Sequence, residues 1–463
     1  MYTDAHQNPN AARAGYYPTT WPSEHTDLWR SHTVLNAGLP SDFNSSKLLV
    51  SHADIDLPVW GYTRDSNQVF AIGGSPAVID VFTKMILAGR QIPIDPGSHS
   101  KPEAGQSRKH TPLVARIDPF TMEKQVLLLE VGSTVNYTGG MLIHANGYIY
   151  ALAQSVLYKI DPDSMSIVAH QELPLVGAGS EQFFTVYNGM QVIASGELVL
   201  KGFDLISNSV EGWLLLVDPG NLEFKVVQQA QVSSPRLTID QRSDGTAYLY
   251  LLNGQDSTRY LITETAFVLD KSWTAAYRTP GSTQASSPVF FGDRIVFSDN
   301  TSPVAETAIK LFSQPVADPP NPLKPWKAFR EIKPGINFFM IGGDPFVTGL
   351  IVVFDPINGY VAVHRNSGTD GLEPVWERSY KMSASPAIVP DRDFLYIDDY
   401  KEGHDHLVVL RLTTGEELAR VALVAQEPTV GCIFVGMNQD VYILNTETEG
   451  RTGYISRIYA GSK

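Results

Sequence analysis

Short apolar runs broken by turn residues recur from one end of the chain to the other. Each run is four to eight residues, rich in Val, Ile, Tyr and Phe, and lacks the 3.6-residue periodicity of a helix. Examples are Gln68-Val-Phe-Ala-Ile, Gly147-Tyr-Ile-Tyr-Ala-Leu, Ala247-Tyr-Leu-Tyr-Leu, Arg294-Ile-Val-Phe-Ser, Phe394-Leu-Tyr-Ile and Val441-Tyr-Ile-Leu. A further strand follows, often closed by Asp-Pro, as in Val114-Ala-Arg-Ile-Asp-Pro, Leu157-Tyr-Lys-Ile-Asp-Pro and Leu215-Leu-Val-Asp-Pro. Three units open alike, at Ser233-Ser-Pro, Ser286-Ser-Pro and Ala384-Ser-Pro. Unit starts fall near 58, 138, 182, 233, 286, 337, 383 and 429, with later steps of about 46 to 53 residues.

A strand-only repeat of this period predicts an all-β fold, an eight-bladed β-propeller, with seven blades as the alternative. One four-stranded sheet cannot cover both of its faces. Radial stacking covers each against a neighbour, which explains runs apolar on both sides such as Trp213-Leu-Leu-Leu-Val and Leu350-Ile-Val-Val-Phe. The last unit lacks a fourth strand. Leu48-Leu-Val-Ser-His is expected to supply it and close the ring from the N-terminal side, removing an exposed edge. The 463 residues then form a single propeller domain, 1–463, with an N-terminal segment 1–47 and an insertion at 76–111. Within the insertion, Ala77–Gly89 reads as a short helix or a further hairpin, and the stretch from Asp95 as a polar loop. The Pro-rich stretch from Gln314 to Pro325 reads as an extended surface loop.

Composition fits a globular chain with a core: 43% hydrophobic and 18% charged. The net charge of −14 argues against nucleic acid and against an anionic membrane surface as partners. The single cysteine, Cys432, excludes an internal disulfide and a thiolate metal cluster. The N-terminus shows no signal-peptide pattern and no run is long enough for a membrane helix, so a cytoplasmic, soluble protein is expected.

Trp21-Pro-Ser-Glu-His-Thr-Asp-Leu-Trp-Arg-Ser, the Ile-Asp-Pro-x-x-(Met/Leu) turns and Glu373-Pro-Val-Trp-Glu-Arg resemble the repeats of the pyrroloquinoline-quinone-like (quinoprotein-like) propellers. The resemblance implies the fold. Catalytic members of that superfamily carry an adjacent Cys pair above the quinone, an Asp, and a calcium or lanthanide site. This chain has one Cys, so a quinone-dependent dehydrogenase and bound PQQ are not expected.

Propeller ligands sit near the axis, beside the turns that follow the second strands. That placement nominates Asp256, Asp299 and Asp398 as catalytic groups. It nominates Glu197, Asn253, Gln255, Asn300, Asp399 and Asn445 as substrate contacts. Asx residues also build hairpin turns, so the same positions read equally as structural. In Asp398-Asp-Tyr-Lys-Glu-Gly-His-Asp-His406, His404 would be a catalytic group. His404 and His406 would share one strand face and, with Asp398, form a divalent-metal site. The N-terminal set of His25, Asp27, Arg30 and His32 suits proton transfer by the His25–Asp27 pair and a carboxylate clamp by Arg30. The same residues also suit a purely structural tie onto the propeller. His52, His144 and His364 read as hydrogen-bonded core residues. The expectation is a small-molecule-binding propeller, an enzyme of hydrolase, isomerase or lyase type working at the axial face. A non-catalytic ligand-binding or protein-interaction scaffold is the alternative.

Overall fold

The computed structural model describes residues 12–74, 111–130, 137–177, 185–204, 211–232, 235–253, 256–284, 287–291, 293–301, 307–317, 324–331, 333–336, 341–367, 371–426, 431–447 and 452–461. Among them the strands make eight antiparallel sheets arranged as a ring, an eight-bladed β-propeller. Blade 1 is typical. Pro58–Asp65 pairs with Gln68–Gly73, then Leu113–Ile117, then Lys124–Leu128. The innermost strands open at or a few residues after the expected starts, except in blade 5, where the first strand piece begins at Thr283, just before 286. Blade 5 splits its inner strand into Thr283–Gln284 and Val289–Phe291, which both pair with Arg294–Asn300. The insertion expected at 76–111 falls between the second and third strands of blade 1. The Ala77–Gly89 and Asp95 readings lie outside the described residues.

Burial follows position in the blade. Thr138–Ile143 and Thr185–Val192, two innermost strands, are buried at every residue. Lys124–Leu128 and Ser166–Glu172, both outermost, are largely exposed. The ring closes as expected: Leu48–Asp54 pairs antiparallel with Thr452–Ala460 and becomes the outer strand of blade 8. A parallel bridge from Ala384–Ser385 to Gly431–Cys432 also ties blade 7 to blade 8.

The Asp-Pro turns share one geometry. Asp118 Oδ1 accepts from the Phe120 and Thr121 amides at 2.7 and 3.0 Å, and Asp161 Oδ1 from Asp163 and Ser164 at 2.8 and 3.1 Å. The fifth residue of each turn is left-handed: Met122 (φ 59°), Met165 (52°), Leu222 (65°) and Gly359 (70°). That conformation usually calls for Gly. Met165 and Leu222 are 5% and 1% exposed, so burial of the side chain offsets the strain.

Residues 12–39 fill the axial channel. Trp21, Leu28 and Trp29 are buried in the two largest cores. Backbone carbonyls along the segment accept from inner-strand amides of successive blades. Trp21 O takes Thr63 N at 2.9 Å and Pro22 O takes Ile143 N at 2.8 Å. Leu28 O takes Ile239 N and Trp29 O takes Phe290 N, both at 3.2 Å. Ser31 O and His32 O take Gly343 N and Ile388 N, both at 2.9 Å. Blade 3 is reached through Tyr16 and Gln191, and blade 8 through Thr20 Oγ1, which donates to the Val435 carbonyl at 2.7 Å. Thr26, Arg30 and His32 have φ of 69°, 58° and 60°. These left-handed residues bend the segment so that its carbonyls radiate to different blades, and non-glycine strain of this kind collects at functional sites.

Candidate functional site

The N-terminal segment carries a charged cluster onto the axis. Glu24 Oε2 lies 3.1 Å from Arg236 Nε, 3.5 Å from Arg30 Nη1 and 3.9 Å from His25 Nε2. Arg30 Nε also donates to the Leu237 carbonyl at 2.5 Å. Arg236 comes from the loop opening blade 4 and its Nη1 reaches the Gly139 carbonyl at 2.8 Å. Lys201, fully buried on the second strand of blade 3, donates from Nζ to the Pro235 carbonyl. The His25 ring stands 4.4 Å from that of His32 and 5.0 Å, edge-on, from Trp60. The Arg236 guanidinium lies 5.5 Å from the Trp60 ring. The side chains of Glu24 and Arg236 keep 10% and 14% exposure, so the cluster meets solvent there.

Burial sets the electrostatics. It pushes the Glu24 carboxyl up, with Arg236 and Arg30 opposing. It holds His25 well below its ordinary value, helped by His32 and Arg30, and takes His32 down to about 3. Burial, Arg236 and Arg30 together hold the Lys201 amine well below its usual range. Both His25 ring nitrogens, His32 Nε2 and Trp60 Nε1 are buried without a hydrogen-bond partner in the protein. His32 Nδ1 faces the Pro386 carbonyl at 3.0 Å.

Of the residues expected to act, His25 and Arg30 meet in this cluster. Asp27 does not pair with His25. Its oxygens accept from the Ser31 amide and hydroxyl at 3.0 and 2.5 Å, and burial raises its carboxyl, with Arg13 among the opposing groups. Glu24 takes the place beside His25. The turn residues do not converge on the axis. Asp299 accepts from the Thr279 and Lys310 amides at 3.1 and 2.8 Å, and Asn300 pairs in register with Thr283. Asp398 accepts from the Ser383 amide and hydroxyl and the Ala384 amide, all within 3.0 Å. Asp399 binds the Lys381 amide and Arg420 at 2.8 and 2.7 Å. Asn445 donates to Asp405 Oδ2 at 3.2 Å, and burial together with Asp405 raises Asp398 well above the carboxylate range. Asn253 and Asp256 close one hairpin through a 2.6 Å backbone bond, and Gln255 lies outside the described residues. Glu197 sits at the other end of the blades, in the turn after an inner strand, bonded to Lys225 at 2.6 Å.

The metal site expected from His404, His406 and Asp398 does not assemble. His404 is exposed in a tight turn, His406 Nδ1 faces the Asp399 carbonyl at 3.3 Å, and Asp398 is sealed under Ser383. Among the described residues no three His, Cys, Asp or Glu side chains group as metal ligands. His144 and His364 are hydrogen-bonded within the fold, each at 2.8 Å to a carbonyl, whereas His52 is exposed on the closing strand.

Glu24, Lys201, Arg236 and Trp60 were not singled out from sequence. The one available signal was Gly189, which faces Lys201 across the sheet and leaves room for it. No helix among the described residues is long and apolar enough to cross a membrane.

No family model and no curated protein matches the chain. Solved structures do. The WD40 domain of SCAP from fission yeast is 9% identical, with a TM-score of 0.51 over 90% of this chain and 99% of that one. The Dos1 propeller is 8% identical, with a TM-score of 0.52 over 89% and 95%. The dihydro-heme d1 dehydrogenase NirN is 12% identical over 67% and 62%, at a TM-score of 0.43 too low to add to them. At these identities the likeness is one of architecture, and the chain is an eight-bladed β-propeller.

Proposed function

We propose that the protein binds a small organic anion at the solvent-facing side of the Glu24–Arg236 cluster and acts on it by acid/base chemistry through His25. One observation carries this reading: the guanidiniums of Arg30 and Arg236 converge on the Glu24 carboxylate, and Arg236 keeps part of its side chain exposed. Arg236, partly exposed, is the group first met from solvent and forms a charge-assisted bond to the ligand. His25, kept neutral by burial, has ring nitrogens that meet no hydrogen-bond partner in the protein, and with Glu24 Oε2 3.9 Å from its Nε2 it is the group placed to exchange a proton with the ligand. This is chemistry of hydrolase, isomerase or lyase type. Quinone-dependent dehydrogenation, which the quinoprotein-like resemblance would bring, is no part of it. Cys432 stands without a second Cys and burial raises its thiol to about 12.

Calorimetry with malonate and inorganic phosphate tests the reading. The wild-type chain should bind at least one of them, and Arg236→Gln should bind it about tenfold or more weakly, one charge-assisted hydrogen bond being worth roughly 1.5 kcal/mol or more. Absence of binding, or equal binding by the variant, refutes it.

A further inference from the structure

The carboxylate of Glu24 has a berth built for it on the inner strand of blade 2, Thr138–Ile143. That strand has a register shift between Thr138 and Gly140. Gly140 has a φ of 130°, and a Cβ there would collide with Glu24 Oε1, so only a glycine leaves the carboxylate its place. Its neighbour Gly139 offers the carbonyl that Arg236 Nη1 meets at 2.8 Å, and Asn188, at the bulge in the inner strand of blade 3, offers Arg236 another. The blade 2 bulge therefore seats carboxylate and guanidinium together, with Glu24 Oε2 3.1 Å from Arg236 Nε and 3.5 Å from Arg30 Nη1. Both the Glu24 and the Arg236 side chains keep some exposure, so an anion that reaches Arg236 from solvent arrives beside a carboxylate already in place.

We propose that Glu24 gates the axial anion site: its carboxylate is the resident partner of Arg30 and Arg236, and an external anion takes its place at Arg236 only as Glu24 takes up a proton. This rests on the anion-binding reading above and adds its regulation. Two negative groups on one guanidinium repel each other in a site that water screens poorly, which disfavours the anion while Glu24 stays ionised. A neutral carboxyl removes the repulsion and can donate its O–H to the incoming anion. The charged and titratable groups around Glu24 are Arg30 and His25 of its own segment, Tyr62 of blade 1, Lys201 of blade 3, Arg236 from the loop opening blade 4 and Cys432 of blade 8. Burial keeps His25, Tyr62 and Cys432 uncharged, which leaves the guanidiniums as the main groups that hold Glu24 ionised. Burial already raises the Glu24 carboxyl against their pull, so once an anion draws Arg236 away a proton completes the change. The net change is one proton moved from solvent to a Glu24 oxygen and one ion pair exchanged for another.

The experiment is calorimetry of the full chain with malonate and with phosphate at pH 8.5, where each anion is already a dianion, run in two buffers of different ionisation enthalpy. Wild type should take up about one proton per anion bound, and lowering the pH to 7.5 should tighten binding about tenfold. In Glu24→Gln the uptake should vanish and the affinity at pH 8.5 should rise about tenfold or more, whereas Arg236→Gln should weaken binding. A thermal melt matching wild type confirms that Glu24→Gln folds. Should it not fold, difference infrared spectra of the wild type with phosphate, which has no carboxyl of its own, should show a carboxylate becoming a carboxylic acid, and spectra without that change overturn the gate. No proton uptake by wild type, uptake that persists in Glu24→Gln, or weaker binding by Glu24→Gln overturns the gate, and the anion site stands as long as Arg236→Gln weakens binding. If wild type binds neither anion at pH 8.5 or at pH 6, both readings fall together.

Discussion

Leu222 shows how a residue that breaks a local rule reports on what surrounds it. Its φ of 65° belongs to glycine, yet the position is leucine with 1% exposure. Left-handed backbone costs an L-residue roughly 1–2 kcal/mol, whereas emptying a buried leucine site costs about 2–5 kcal/mol. Burial wins. Leu222→Ala should therefore lose about 2–4 kcal/mol in urea denaturation, because it keeps the strain and loses the packing. Leu222→Gly should be about 1 kcal/mol more stable than Leu222→Ala, reversing the usual order of the two residues. A glycine variant weaker than the alanine variant would show that the strain is absent. The turn itself was readable from Asp-Pro followed by Met or Leu. Its physical basis, Asp Oδ1 holding two successive amides, repeats from blade to blade and so rises above the noise of any one copy. The functional cluster has no such repetition. Glu24, Trp60, Lys201 and Arg236 come from the N-terminal segment and blades 1, 3 and 4, and each occurs once. The Asp residues after the second strands do repeat, and that repetition made them look like a shared pocket. Asp299, Asp398 and Asp399 instead satisfy the amides of their own neighbouring loops, the duty of short acidic side chains at turns.

The N-terminal segment is the element in which fold and chemistry meet. Its sequence pattern is neither helical nor strand-like, so its path could not be read by periodicity. Only its Trp and charged residues marked it out. It is a succession of turns and bends, strained at Thr26, Arg30 and His32, and held by carbonyls rather than by a regular ladder. His25 and His32 are buried as neutral rings. Burial takes His32 from 6.5 in the ordinary case to about 3, so the unfolded chain binds a proton that the folded chain refuses. Stability from this neutral ring is complete above pH 6.5 and is lost as pH falls towards 3. At pH 5 the loss is about 2 kcal/mol for His32 alone. His25, shifted in the same direction, adds to it. Urea midpoints at pH 7.5 and pH 5 should thus differ clearly in the wild type, and the difference should shrink in His32→Gln. Equal pH dependence in the two proteins would mean that His32 titrates normally.

At the scale of the whole molecule, the ring is locked twice by the same stretch of chain. Leu48–Asp54 completes blade 8 from outside, and residues 12–39 occupy the channel inside. The outer lock was legible, because the last unit lacked a strand and an apolar run waited near the other end. The inner lock was legible only as a possible tie, because nothing local specifies six carbonyls aimed at six blades. These two locks need not act together. A chain beginning at residue 40 would keep the closing strand and lose Trp21, Leu28 and Trp29, each worth about 1.5–3 kcal/mol of apolar burial. It would also leave inner-strand amides such as those of Gly343 and Ile388 facing an open channel, each a cost of about 1–3 kcal/mol where water cannot serve them. Such a chain should keep its far-ultraviolet β signature, melt well below the wild type, and bind an apolar dye at the channel. A synthetic peptide of residues 12–39 should restore the melting temperature when added in trans, and it should do so with Glu24→Gln as well, since the tie runs through backbone and apolar side chains. Anion binding, in contrast, should return with a changed affinity in that Glu24→Gln complex, because the carboxylate that neutralises Arg236 is gone. Restored stability with unchanged anion affinity would separate the plug from the site and remove the N-terminal segment from the chemistry.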